Sequence, residues 1–199
     1  MLIFGKWTTN DVVSKDLGIA KYVSFKEKEV PHTYGSNKST LVEKAKVPVV
    51  ERLVNKMMRS GQGKKKLSGK FLRGKFACGK KEKMIKAVDL AFDHINKVTK
   101  ENPMQVFISA IENSAPREDI IRLQRGGITY NQAVDIAPIK RLDEALKNIA
   151  LAPFKATYKT RKDMAISLAE ELIAASKNDQ KSYAVKRKDE IERIAQGSR

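Results

Sequence analysis

The sequence predicts a mainly α-helical domain interrupted by one β-ribbon and preceded by an irregular extension. Three observations predict it. Apolar residues recur at helical spacing in successive stretches after Pro48. A Gly-Gly pair, Gly126-Gly127, stands between two runs of strand-like composition. Residues 1–46 show little periodicity.

In that extension Met1 to Phe4 and Trp7 are apolar enough to dock on a surface, while Gly18, Pro31, Gly35 and the polar run Ser36 to Thr40 interrupt the rest. The domain proper is expected over 47–199. Val49, Val50, Leu53, Val54, Met57 and Met58 open it at helical spacing until Ser60-Gly61-Gln62-Gly63 stops the pattern. Residues 61–81 form a basic, glycine-punctuated loop. In the amphipathic helix that follows, Met84, Val88, Ala91, Ile95 and Val98 step by four, three, four and three. Asn102-Pro103 is a capping residue followed by proline at the first helical position. Val106, Phe107, Ala110 and Ile111 supply that helix's buried face, and Pro116 closes the segment.

Residues 118–136 change period. Ile120 to Gln124 and Thr129 to Ile136 flank Arg125-Gly126-Gly127-Ile128, the signal of a two-residue hairpin. Pairing Arg125 with Ile128 sets Leu123 opposite Tyr130 and Ile121 opposite Gln132, which leaves one face mainly apolar and the other polar and cationic. An isolated two-stranded hairpin is marginal in water. The ribbon therefore either folds back onto the helices or projects as an arm that inserts into RNA; Arg117, Arg122 and Arg125 along it favour the arm. Further helices are expected at about 139–151 with Leu142, Leu146 and Ile149, about 161–176 with Ile166, Ala169, Leu172 and Ile173, and about 182–196 with Tyr183, Ile191 and Ile194.

Forty Lys and Arg oppose 23 Asp and Glu, a formal net charge of +17 in a chain that is still 41% hydrophobic. Such a surplus disfavours the compact state by self-repulsion, and a polyanion that releases counterions on binding compensates it. No apolar run approaches the roughly 20 residues that span a bilayer, and no signal-peptide pattern is expected, because Lys6, Asn10 and Asp11 follow Phe4. Nucleic acid is the better partner. Cys78 is the single cysteine, which fits a reducing compartment, and His32 and His94 give no metal spacing with it. No metal or cofactor is expected.

The stretch Gly69-Lys70-Phe71-Leu72-Arg73-Gly74-Lys75-Phe76 almost spells a phosphate-binding loop. That loop needs Ser or Thr after the lysine to hold magnesium, and Phe76 cannot. With Gly79-Lys80 repeating the pair, the segment reads as a cationic loop whose Phe71 and Phe76 either anchor it on the core or stack on bases. Asp163, Glu170 and Glu171 read as a solvated helix face, so catalysis has no seat. The basic clusters are the candidate RNA-binding residues. They comprise Lys44, Lys46, Arg52, Lys56, Arg59, Lys64, Lys65, Lys66, Lys70, Arg73, Lys75, Lys80 and Lys81; Arg117, Arg122 and Arg125; Lys140 and Arg141; Lys159 and Arg161; and Lys186, Arg187 and Lys188. Arginine grips phosphate through its bidentate fork, and lysine acts as a point charge. On residues alone, a free regulatory RNA- or DNA-binding protein remains the alternative to an architectural one.

Several segments resemble the universal small-subunit ribosomal protein seven family, called protein five in eukaryotes. They are Glu101-Asn102-Pro103 through Ser114-Ala115-Pro116-Arg117-Glu118-Asp119, Arg125-Gly126-Gly127 with Gln132-Ala133-Val134-Asp135, and Ser182 to Glu190. Phe4-Gly5-Lys6-Trp7 looks like the start of its archaeal and eukaryotic branch. The resemblance spans roughly 47–199. It implies a six-helix domain with a projecting β-hairpin, binding to the 3′ major domain of small-subunit rRNA, and a role in assembling the subunit head in the cytoplasm. It also implies neighbouring head proteins as partners, with the hairpin near the exit-site tRNA and the mRNA exit path. Arg122, Arg125, Gly126, Gly127 and Tyr130 carry over as hairpin positions. The loop at 62–79 is longer than in bacterial relatives, and the chain ends at Gln196-Gly197-Ser198-Arg199 without their longer tail.

Overall fold

The structure, a computed structural model, describes residues 2–9, 11–26, 28–35, 40–59, 66–67, 70–71, 79–157 and 160–199. At 41, 42, 59, 66, 67, 70, 71 and 125 only the backbone is described. Two short helices, α1 (Leu17–Ala20) and α2 (Leu41–Ala45), precede the longer α3 (Val49–Arg59). A two-rung antiparallel ladder, β1 (Lys66–Leu67) with β2 (Lys70–Phe71), lies within the basic loop. Residues 61–65, 68–69 and 72–78 of that loop, with Lys64, Lys65, Arg73, Lys75, Phe76 and Cys78, lie outside the described residues. There follow α4 (Lys81–Thr99), α5 (Pro103–Ser114), β3 (Glu118–Arg125), β4 (Ile128–Asp135), α6 (Pro138–Thr157), α7 (Met164–Ser176) and α8 (Tyr183–Gln196). The expected mainly helical domain with one hairpin is what forms.

The caps act as the residue types require. Asn102 accepts from the Met104 amide at 3.0 Å ahead of Pro103, and Ser182 caps α8 at the Val185 amide. Helix α7 is the central element, packed against α4, α5, α6 and α8. It can be central because its buried face is largely small, with Ala165, Ser167, Ala169 and Ala175 beside Leu168 and Leu172, so neighbours approach closely. Phe92 and Phe107 meet in the core at 5.9 Å between ring centroids. Burying an aromatic side chain of this size stabilises the fold by about 1.5–3 kcal/mol.

Three expected faces are displaced. Val98 is 58% exposed, because α4 runs on past the core that buries Met84, Val88, Ala91 and Ile95. Ile166 and Ile194 are also exposed, and the buried side chains of α8 are Ala184, Val185 and Ala195. Close helix packing selects the alanines over the larger neighbours that hydrophobicity favours. Glu171 is not a solvated residue: half-buried, it accepts from Ser182 Oγ at 2.6 Å and from the Ala184 amide at 3.0 Å, and so fixes the start of α8. Helix α6 runs through Pro153 to Thr157 rather than ending near 151, with the proline buried and Thr157 Oγ1 donating to its carbonyl.

The extension is laced to the body. Ile3, Ile19 and Val23 are buried in the common core, and the Phe4 ring meets Phe92 edge-on at 6.0 Å. Gln105 pairs with both backbone groups of Val13, and Glu112 Oε1 accepts from Ser14 Oγ and from the Lys15 and Asp16 amides. Among the described residues no helix is long and apolar enough to cross a membrane.

Candidate nucleic-acid interface

Strands β3 and β4 pair antiparallel in the expected register, Arg125 with Ile128, Leu123 with Tyr130 and Ile121 with Gln132. Gly126 and Gly127 have φ of 57° and 82°, the doubly left-handed turn whose twist matches the strands and which a side chain would strain. Only the root is held. Helix α8 packs on it, the Arg117 amide donates to Glu192 Oε1 at 2.9 Å, Lys140 pairs with Asp119 at 3.1 Å, and Arg199 pairs with Glu118. Beyond the root the ribbon projects. Ile121 and Leu123 are exposed, as are Tyr130 at 43% and Ile128 at 73%, so the folded-back alternative is not adopted. Arg122 is exposed on the opposite face. An apolar stripe left uncovered on a projecting element marks a surface built for a partner.

The cations of the body fall into two groups. Lys46, Lys80, Arg117, Lys140, Arg161 and Lys186 are exposed. Lys140 is exposed while paired with Asp119, and less exposed cations are held by acids too. Lys44, Arg52 and Lys56 converge on the Asp143 carboxylate, with Arg52 at 3.1 Å and Lys56 at 3.4 Å. Arg52 is 4% exposed, donates also to the Tyr22 carbonyl at 3.2 Å, and is not on the cationic surface to which its sequence position assigned it. Burial pushes the Asp143 carboxyl up. The Lys44 hydrogen bond, the charge of Lys56 and the Arg52 hydrogen bond outweigh it and hold the carboxyl below its usual range. Arg141 is likewise drawn inward, to Asp16 at 2.8 Å and the Pro116 carbonyl at 3.2 Å. Lys81 pairs with the buried Glu51 at 2.7 Å, and that carboxylate also takes the Thr33 amide and hydroxyl. Arg187 pairs with Glu190 at 2.5 Å. Lys188 lines a cleft of about 270 Å3 with Arg117 and Arg141, opposed there by Asp16, Glu112 and Glu192. Lys159 and the side chains of Arg59, Lys66, Lys70 and Arg125 lie outside the described residues.

The acids that organise these cations escaped the sequence reading. Asp143 sits beside Glu144 in a helix and Glu51 lies within a largely cationic stretch; neither spacing signals a hub. Tyr22 also went unremarked. With Lys56, Ala137, Pro138, Ile139, Lys140, Asp143 and Glu144 it lines a groove of about 310 Å3 at the arm's root. Among the described residues no group of three or more His, Cys, Asp and Glu is placed to hold a metal ion.

A family model described as ribosomal protein S7p/S5e matches residues 19–199, which takes in the body and the whole arm. The chain belongs to this ribosomal protein family. It is 41% identical over 198 residues to the small ribosomal subunit protein uS7 of Methanococcus aeolicus, covering 99% of this chain and 98% of the relative. That near-complete match to an archaeal relative accords with the archaeal-type start at Phe4 to Trp7. The S7p/S5e match begins at Ile19, ahead of the 47–199 span of the resemblance, and Ile19 is fully buried in the core. Family membership makes the chain an RNA-binding protein of translation, and the family is one of ribosomal structural proteins.

Proposed function

We propose that the chain is a structural constituent of the small ribosomal subunit in the cytoplasm. It binds the 3′ major domain of the rRNA, helps assemble the head beside neighbouring head proteins, and reaches with its arm toward the exit-site tRNA and the mRNA exit path. The projecting arm carries this reading, because its exposed apolar stripe and cationic opposite face have no use within the chain. Lys46, Lys80, Arg117, Arg122, Lys140, Arg161 and Lys186 contact phosphates in this reading, together with the basic loop, Arg59, Arg125 and Lys159. Lys44, Lys56, Lys81, Arg187 and Lys188 stand at the edge of that surface. Arg52 and Arg141 act behind it by fixing the backbone on which the exposed cations sit.

A 3′ major-domain fragment is expected to bind in the presence of excess unrelated RNA at physiological salt. Equal affinity for the unrelated RNA would remove the claim of specificity. Replacing Arg122 and Arg125 together by Ala is expected to weaken fragment binding about tenfold and to lower the salt slope by about one for each phosphate no longer neutralised. The melting midpoint should hardly move, since exposed substitutions change stability by about 0.5 kcal/mol or less. A large drop in the midpoint would mean that the arm's arginines support the fold instead.

A further inference from the structure

The groove at the arm's root lies where β4 leads through Ala137 into α6. Tyr22, Pro138 and Ile139 form its apolar walls, and Lys56, Lys140 and Asp143 stand at its rim. Tyr22 and Ile139 are each half-buried, so both keep part of their surface open. Asp143 is already shared among Lys44, Arg52 and Lys56, and the rim's other acid, Glu144, is paired with Lys147 at 2.7 Å. Lys140 is paired with Asp119, so the groups at and around the edge are five cations, Lys44, Arg52, Lys56, Lys140 and Lys147, against three acids, Asp119, Asp143 and Glu144, while the interior is apolar.

One ligand chemistry matches both halves. A nucleobase is flat and seeks a ring or aliphatic wall, and the phosphate attached to it seeks cations; RNA-binding proteins take unstacked bases in this way. An apolar peptide would match the walls and leave the rim unused. We propose that the groove receives one unstacked nucleotide of the bound RNA, its base against Tyr22 and the Pro138–Ile139 turn, its phosphate facing Lys56 and Lys140. This assignment rests on the rRNA-binding reading and supplies that reading with a contact of defined chemistry.

The test uses the full chain and a transcribed 3′ major-domain fragment. Tyr22→Leu keeps apolar bulk without the ring, and Ile139→Ser removes the opposite wall. Each is expected to weaken binding about tenfold with the salt slope unchanged, because stacking releases no counterions. Lys140→Ala is expected instead to lower the slope by about one. Wild-type affinity in both groove variants, while the unaltered chain binds specifically, overturns the groove and leaves the rRNA reading standing. Failure of the unaltered chain to prefer its fragment overturns the reading itself. Because Tyr22 also packs against the core, a second measurement decides if its variant melts early. A benzophenone side chain at Ile139 in reconstituted small subunits is expected to crosslink to rRNA; a crosslink to a protein, or none, overturns the proposal.

Discussion

Affinity for the 3′ major-domain fragment is expected to fall about a thousandfold or more between roughly 50 and 200 mM salt, the behaviour of a protein neutralising about 6–10 phosphates. Binding that releases condensed counterions loses that entropy as bulk salt rises. The chain has a net charge of +17, and its exposed cations are spread from Lys46 through Lys186 rather than gathered on one helix. The carboxylates reduce the effect less than their number suggests, because Asp143, Asp16 and Glu51 face inward-drawn cations instead of the surface ones. A series of filter-binding isotherms gives the slope. A value near zero would show that apolar contacts, such as those of the arm's stripe, dominate recognition.

Asp143→Ala is expected to cost about 3 kcal/mol of stability, read as a lowered urea midpoint. Removing one partner of a buried ion pair leaves the other uncompensated, at about 3–5 kcal/mol. The lower end applies because the Asp143 side chain keeps 19% of its surface and Arg52 retains the Tyr22 carbonyl. The loss is sharpened by the company Arg52 keeps, since Lys44 and Lys56 then repel it without an intervening charge. Lys140→Ala, which breaks only the exposed pair with Asp119, is expected to cost less than about 1 kcal/mol. Acid should reproduce part of the first effect. The folded-state pKa of Asp143 lies below its ordinary 3.8, so its contribution is complete above that value and disappears as pH falls through the folded-state value. In Asp143→Ala the stability loss as pH falls below about 4 should therefore be smaller than in the unaltered chain. Parallel acid titrations of the two would expose an error.

These two expectations draw on different levels of the molecule. The salt dependence was legible in the sequence, because net charge needs no fold to be counted. The Asp143 expectation was not. Helical periodicity located α3 to α8 to within a few residues at most ends, yet it misjudged the inward side of α7 and α8. There Ile166 and Ile194 are exposed while Ala165, Ala175, Ala184 and Ala195 are buried, although the expected Ala169 and Leu172 do enter the core. The end of α6 was also misplaced: the helix continues through the buried Pro153, although its missing amide weakens the helix there.

By itself the sequence determined the helical segments, the cap at Asn102, the hairpin register and the cationic character. Each is a local matter, set by residues within a few positions of one another; the Gly126-Gly127 turn alone fixes the pairing of every rung. Tertiary structure decided that the ribbon projects, that Ile3 and Ile19 enter the core, and which cations remain for RNA. Arg52 meets Asp143 across 91 positions and Arg141 meets Asp16 across 125. Charge pairs formed over such distances exist only once the chain has folded, because nothing in the local pattern brings their partners together.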